Sequence, residues 1–159
     1  MKVLGIDPGL TLVNPTAIVL LDTDKNVLVL HAISVLDVGK VWEDRFLDVI
    51  AFLDHYINGS AAVDLVAYEV PFCGPNPLVA VMLSHIGGAA RTLAWLSGCP
   101  SVKVASTQAK VALASKGSAN KEQMIAAALS RWGATLTKDE ADAAGVVVAG
   151  VQLWEERHG

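Results

Sequence analysis

Met1-Lys2-Val3-Leu4-Gly5-Ile6-Asp7-Pro8-Gly9 opens the chain with a short apolar run that meets a carboxylate, then a proline and a glycine. An apolar run of this length bounded by turn residues predicts a buried strand, with Asp7 at its C-terminal end and Pro8-Gly9 breaking it. Asp before Pro-Gly is by itself ordinary turn chemistry. Its weight comes from partners further along. Val63-Asp64-Leu65-Val66-Ala67-Tyr68-Glu69 is a second apolar strand ending in an acid, and Asp139-Glu140-Ala141-Asp142 sets two acids three residues apart on one side of a predicted helix. Two strand ends and one helical face can converge on a cation.

The segments between these stretches say how they are joined. Thr16 to Leu21 and Val27 to Ile33 predict two further strands, linked through Asp22-Thr23-Asp24-Lys25-Asn26 as an antiparallel hairpin. His31 falls inside the second of them with no ligand pair nearby and is assigned a structural role. Val41 to Asn58 reads as an amphipathic helix with Val41, Trp42, Phe46, Val49, Ile50, Leu53 and Ile57 on its apolar side. A helix leading into the Glu69 strand makes a parallel crossover beside the hairpin, hence an α/β fold with a mixed sheet.

Pro71 to Pro77 is the densest irregular segment and directly follows Glu69. Composition favours Phe72 as an apolar anchor of this loop; the functional alternative is stacking against bases. A long helix follows from Leu78 to Ser97, with Leu78, Val79, Val81, Met82, Ile86, Ala89, Leu93 and Leu96 as core material and Trp95 as a packing residue. His85 and Arg91 are its polar exceptions. Ser101 to Ala105 is a short strand, and a helix begins near Thr107. Lys110, Lys116 and Lys121 then bracket Gly117-Ser118-Ala119, placing ammonium groups and amides where a phosphate backbone can meet them. The spacing is not that of a P-loop. The next helix, Lys121 to Arg131, turns Met124, Ile125, Ala128 and Leu129 inward and ends at Gly133. Thr137-Lys138-Asp139-Glu140 has capping-box spacing and starts the last helix, whose N-terminus favours ionised acids. Asp139 and Asp142 are stronger site candidates than Glu140.

The chain has 159 residues, 53% of them apolar, which suits a single domain (1–159) with one substantial core. It opens without the features of a secretory signal, and its alanine-rich stretches are interrupted before they make a membrane span, so a cytoplasmic protein without a membrane partner is expected. Cys73 and Cys99 have no paired spacing and read as ordinary thiols. The formal net charge of −4 masks a strong asymmetry. Residues 70–121 contain no acid and five Lys or Arg, whereas 1–69 contain ten acids and four Lys or Arg. A polyanion responds to the local field, so the acid-free segment suits phosphate contacts.

Four carboxylates at one centre need cationic compensation. Hard divalent ions with oxygen ligands supply it, and two Mg²⁺ spaced by roughly 3.5–4 Å suit phosphoryl chemistry. Gly5-Ile6-Asp7-Pro8-Gly9, Tyr68-Glu69-Val70-Pro71-Phe72 and Asp139-Glu140-Ala141-Asp142-Ala143 resemble, in that order, the catalytic motifs of the RuvC family of Holliday-junction resolvases, within the RNase-H-like nuclease superfamily. The resemblance spans nearly the whole chain. It implies a five-stranded mixed sheet flanked by helices, and Asp7, Glu69, Asp139 and Asp142 as ligands of two Mg²⁺ or Mn²⁺ per subunit. It further implies Lys110 and Lys121 near DNA phosphates, with Gly117-Ser118-Ala119 in the intervening loop, and Phe72 as the aromatic that probes the junction; Lys116 is a DNA-binding candidate from the local pattern of lysines and glycine. The implied activity is a crossover junction endodeoxyribonuclease acting on four-way junction DNA as a homodimer, with a branch-migration helicase as a further partner. Asn14-Pro15-Thr16 and Ser84-His85-Ile86-Gly87-Gly88 depart from the family's usual glycine-containing and Gly-Gln-containing patterns. Two other readings compete: an RNase-H-like nuclease for structured RNA or replication intermediates, and a nucleic-acid binding module without catalysis.

Overall fold

The computed structural model describes residues 1–37, 39–59 and 62–159. In chain order its elements are β1 (Lys2–Leu10), β2 (Pro15–Asp22), β3 (Val27–Ile33), α1 (Trp42–Ile57), β4 (Leu65–Val70), α2 (Pro77–Leu96), β5 (Ser101–Ala105), α3 (Ser106–Ala114), α4 (Lys121–Trp132) and α5 (Lys138–His158). The strands form one sheet in the order β3-β2-β1-β4-β5. β1, β2 and β3 are antiparallel neighbours, while β1, β4 and β5 run parallel. The five-stranded mixed sheet expected from the sequence is therefore present.

Alternation along the strands builds a core on each face. Leu4 and Ile6 of β1, Ile18 and Leu20 of β2 and Val66 of β4 pack against Val49 and Leu53 of α1 and Ile86 and Ala90 of α2. The residues between them, Val3, Leu21, Leu65 and Ala67, join Val102 and Val104 of β5 on the opposite face, against Val146 to Ala149 of α5. α5 is buried around most of its circumference from Ala143 to Gly150, which explains its run of Ala, Val and Gly. Two glycines let it approach the sheet. A Cβ at Gly5 would lie 2.5 Å from the Ala143 carbonyl oxygen, and one at Gly150 would lie 2.4 Å from the Ala67 Cβ.

Four sequence expectations need correction. β1 does not stop at Asp7. It continues to Leu10 through a register shift after Asp7, where the Thr16 hydroxyl accepts from the Gly9 amide at 3.0 Å and donates to the Gly9 carbonyl at 2.7 Å. Pro8-Gly9 is thus a bulge whose backbone groups a side chain satisfies. In α2, only part of the expected core is inside: Ile86 is buried, but Leu78, Val79, Val81, Leu96 and Trp95 are exposed. The helix is apolar on several sides, so periodicity could not select the Ile86, Ala90, Ala94 stripe that meets the sheet. For the same reason α2 is long and apolar enough to cross a membrane by length and composition, contrary to expectation. Leu129 of α4, expected inside, is also exposed.

Candidate active site

The β1–β4 ladder runs from Val3 with Leu65 to Ile6 with Tyr68. Ile6 and Tyr68 face α1 and α2, so the next residues, Asp7 and Glu69, turn together toward α5. Beyond Asp7 the bulge at Pro8-Gly9 redirects the chain, leaving the carboxylate at the mouth of a cleft.

The first turn of α5 meets them there. Thr137 caps the helix: its Oγ1 accepts from the Glu140 amide at 3.2 Å, and Glu140 Oε2 accepts from the Thr137 amide at 2.8 Å. That exchange directs Glu140 away from the cleft. Its other oxygen, Oε1, accepts from Nδ1 of His31 at 2.7 Å. Asp139 and Asp142, on the other side of the turn, line the cleft with Asp7 and Glu69. Glu140 does not line it.

The cleft encloses about 340 Å³. Its remaining wall is Lys121 at the start of α4, the β1–β2 turn with Thr11 and Asn14, and Val79, Met82 and Leu83 of α2. The α2 residues of the cleft were not among those expected from the sequence, although α2 begins only eight residues after Glu69. Burial raises the pKa of all four acids. Asp7 stands well above the ordinary carboxylate value, through burial first and then the charges of Glu69, Asp142 and Asp139. Burial and Asp142 push Glu69 to about 7. Asp139 and Asp142 are also raised by burial, against the opposing charges of Lys138, Lys121 and Lys110. The helix N-terminus favours the ionised forms of these two, and desolvation works against it. Glu140 is the opposite case: burial raises it, but the hydrogen bonds from His31 and Thr137 prevail and hold it below its ordinary value.

Among the described residues, no three His, Cys, Asp or Glu side chains stand close enough to hold one metal ion. The four acids share a cleft without sharing a coordination sphere. Like charges in a desolvated site resist closer approach, and a cation removes that resistance. The donor set is all oxygen, which fits Mg²⁺ or Mn²⁺ rather than a thiolate or imidazole metal.

The lysines divide. Lys121 lines the cleft, and Lys110 on α3 is near enough to oppose the upward shifts of Glu69 and Asp142. Lys116, Gly117 and Ser118 lie in the α3–α4 connection and do not line the cleft. Phe72 is 85% exposed, which overturns the expectation that it anchors its loop in an apolar pocket. His85 donates to its own helix at Val81 and sits beside the rings of Trp42 and Phe46, away from the acids. Arg91 lies further along α2 with Trp95 and Cys99.

Residues 3–150 match the family model described as crossover junction endodeoxyribonuclease RuvC. The chain belongs to the RuvC family. Its RuvC relative from Cupriavidus pinatubonensis is 33% identical over 157 residues, covering 93% of this chain and 82% of the relative. The one from Chlorobium phaeovibrioides is also 33% identical, covering 93% of this chain and 79% of the relative. The solved structure of Thermus thermophilus RuvC superposes with a TM-score of 0.80 at 21% identity, covering 99% of this chain and 97% of that one. The same protein in complex with a Holliday junction substrate gives 0.82 at 21% identity, covering 99% and 96%. Within this RuvC-family chain the RNase-H-like fold is thus confirmed over nearly its full length. Of the stretches expected to depart from the family pattern, Asn14-Pro15-Thr16 lies beside the cleft, where the Asn14 side chain accepts from Lys138 Nζ at 3.2 Å, and Ser84-His85-Ile86-Gly87-Gly88 lies within α2.

Proposed function

We propose that this protein is a metal-dependent, structure-selective endonuclease that resolves four-way DNA junctions by paired phosphodiester hydrolysis. The observation that carries the reading is the convergence of Asp7, Glu69, Asp139 and Asp142, from two strands and one helix, on a single cleft that Lys121 also lines. The ionised carboxylates hold Mg²⁺, with Mn²⁺ as a substitute, two per subunit. Bound there, divalent ions neutralise phosphate charge and activate water. Lys121 and Lys110 set the scissile strand against the acids by binding its phosphates, and the Lys116-Gly117-Ser118 turn extends that contact. Phe72, exposed three residues beyond Glu69, stacks at the exchange point.

Paired incision calls for two such clefts, and the reading includes a homodimer. Its support is α2, where Val81, His85, Gly88, Thr92 and Trp95 form one exposed stripe at spacings of four and three residues. A Cβ at Gly88 would meet nothing within 4 Å, so a second α2 can cross closely there. Trp95 is 75% exposed, an anchor of the kind that drives association. A branch-migration helicase is the further partner that the family resemblance implies. The test is cleavage of four-way junctions with and without Mg²⁺, beside linear duplex and RNA/DNA hybrid. Cleavage of the hybrid in preference to the junction would favour another RNase-H-like activity.

A further inference from the structure

His31 and Glu140 lie 109 residues apart in sequence and meet at 2.7 Å. His31 stands on the edge strand β3 opposite Val19 of β2. Directly paired residues share a face, and Val19 packs against Ala141, Ala143 and Ala144 of α5, so His31 points at the first turn of that helix. Glu140 is the residue it finds. The Glu140 side chain is only 8% exposed, whereas the imidazole is 40% exposed.

Both oxygens of Glu140 are engaged: Oε1 by His31 and Oε2 by the Thr137 amide. An ionised carboxylate only accepts, so the imidazole nitrogen facing it carries the hydrogen. Glu140 is adjacent to Asp139 and two residues from Asp142, on the same helical turn. A fifth carboxylate at that point has two courses. Held, it braces the turn; released, it is a flexible acid with reach into a cleft that collects cations. Besides the Thr137 cap, this turn is tied by Lys138 to Asn14, an exposed contact at 3.2 Å. His31 supplies the better buried one.

We propose that His31 is a positioning residue for strand cleavage: by holding Glu140 it fixes the first turn of α5, and with it the Asp139 and Asp142 carboxylates, and keeps Glu140 out of the cation centre. The inference rests on the cation-dependent nuclease reading above. It assigns His31 no contact with DNA or metal. Ligand-supporting groups of this kind govern metal affinity, typically by about 10–100-fold when removed.

The test is Mn²⁺ binding to the junction-bound protein, followed by electron paramagnetic resonance, together with the Mg²⁺ dependence of nicking. His31→Ala is expected to weaken Mn²⁺ binding about tenfold and to raise the Mg²⁺ needed for half-maximal nicking by a similar factor. Junction affinity in Ca²⁺ should stay at the parent value. His31→Asn places an amide N–H where Nδ1 stood and should recover most of the loss. In a Glu140→Gln background, His31→Ala should have little further effect. Unchanged Mn²⁺ affinity in His31→Ala, or equal losses in the Ala and Asn variants, would overturn the assignment. Should His31→Ala not fold, His31→Leu keeps bulk without a donor and should show the same loss; parent-like affinity in that variant would overturn it as well. A parent protein that neither binds Mn²⁺ nor nicks would instead defeat the nuclease reading itself.

Discussion

Asp7 and Glu69 stand side by side because each directly follows one member of the Ile6 and Tyr68 pair, with which the parallel β1–β4 ladder ends. The sheet therefore presents two carboxylates just past the end of this ladder, and the first turn of α5 adds Asp139 and Asp142 beside them. Burial raises all four pKa values, and the charge of a neighbouring acid in the cleft adds to it at Asp7, Glu69 and Asp142, so the site gathers negative charge at a desolvating cost. That cost is what a divalent cation relieves.

Replacing Asp7 with Asn keeps its size and removes one ligand charge. Nicking should fall by about a hundredfold or more, with junction binding retained. Because Asp7 is a strained buried acid, the cation-free variant should melt no lower than the parent at neutral pH. Circular dichroism melts and single-turnover nicking, measured on the same preparation, check both halves.

The pH dependence has a definite sign. Glu69 moves from 4.5 unfolded to about 7 folded, so between those values the folded state binds more protons than the unfolded one. Stability is then lost as pH rises through that window, by on the order of 3 kcal/mol from this group. Without divalent ions the melting temperature should fall between about pH 5 and about pH 8, and Glu69→Gln should flatten that fall. Added Mg²⁺ should raise the melting temperature more at the higher pH, since ligation requires the deprotonated acids. Melting scans with and without Mg²⁺ across this range are the measurement.

Lys110 and Lys121 carry a separate expectation. Changing both to Gln should weaken junction binding and reduce the slope of log affinity against log salt by up to about two, near 0.9 per phosphate contact. Lys121 also offsets the raised pKa values of Asp7, Asp139 and Asp142. Lys121→Gln alone should therefore shift the rise of nicking with pH to higher pH. Salt titrations and pH profiles separate these two effects.

Phe72 gives the sharpest contrast between substrates. Phe72→Leu retains apolar volume and loses the stacking face, and at 85% exposure the side chain has little packing to lose. Stacking contributes about 1–3 kcal/mol per base, enough for a tenfold or larger change in rate. The variant should be slow on a closed junction and less impaired on a pre-opened one. Comparison of single-turnover rates on the two substrates decides it.

Much of this was legible in the sequence. β3 and β5 fall where composition and turn residues put them, because Val27–Ile33 follows the Asp22 to Asn26 turn and Ser101–Ala105 follows Gly98-Cys99-Pro100. The acids were recoverable because Asp7 and Glu69 end apolar runs and because Glu140, at the third position of a capping box, is committed to its own helix end. What sequence could not reveal depends on contacts between distant segments. The Pro8-Gly9 bulge needs Thr16, and the role of His31 needs a glutamate 109 residues away. α2 defeated periodicity for another reason, being apolar on faces that the monomer leaves exposed.

The central claim is paired cleavage of a four-way junction by two acidic centres. Its most direct test is a junction with each of its four strands labelled in turn, incubated with Mg²⁺ and mapped for incision position and order. Cuts are expected at symmetry-related positions in two opposed strands, both lost without divalent ions and in Asp7→Asn. Cuts confined to one strand, or equal cleavage of linear duplex, would contradict it.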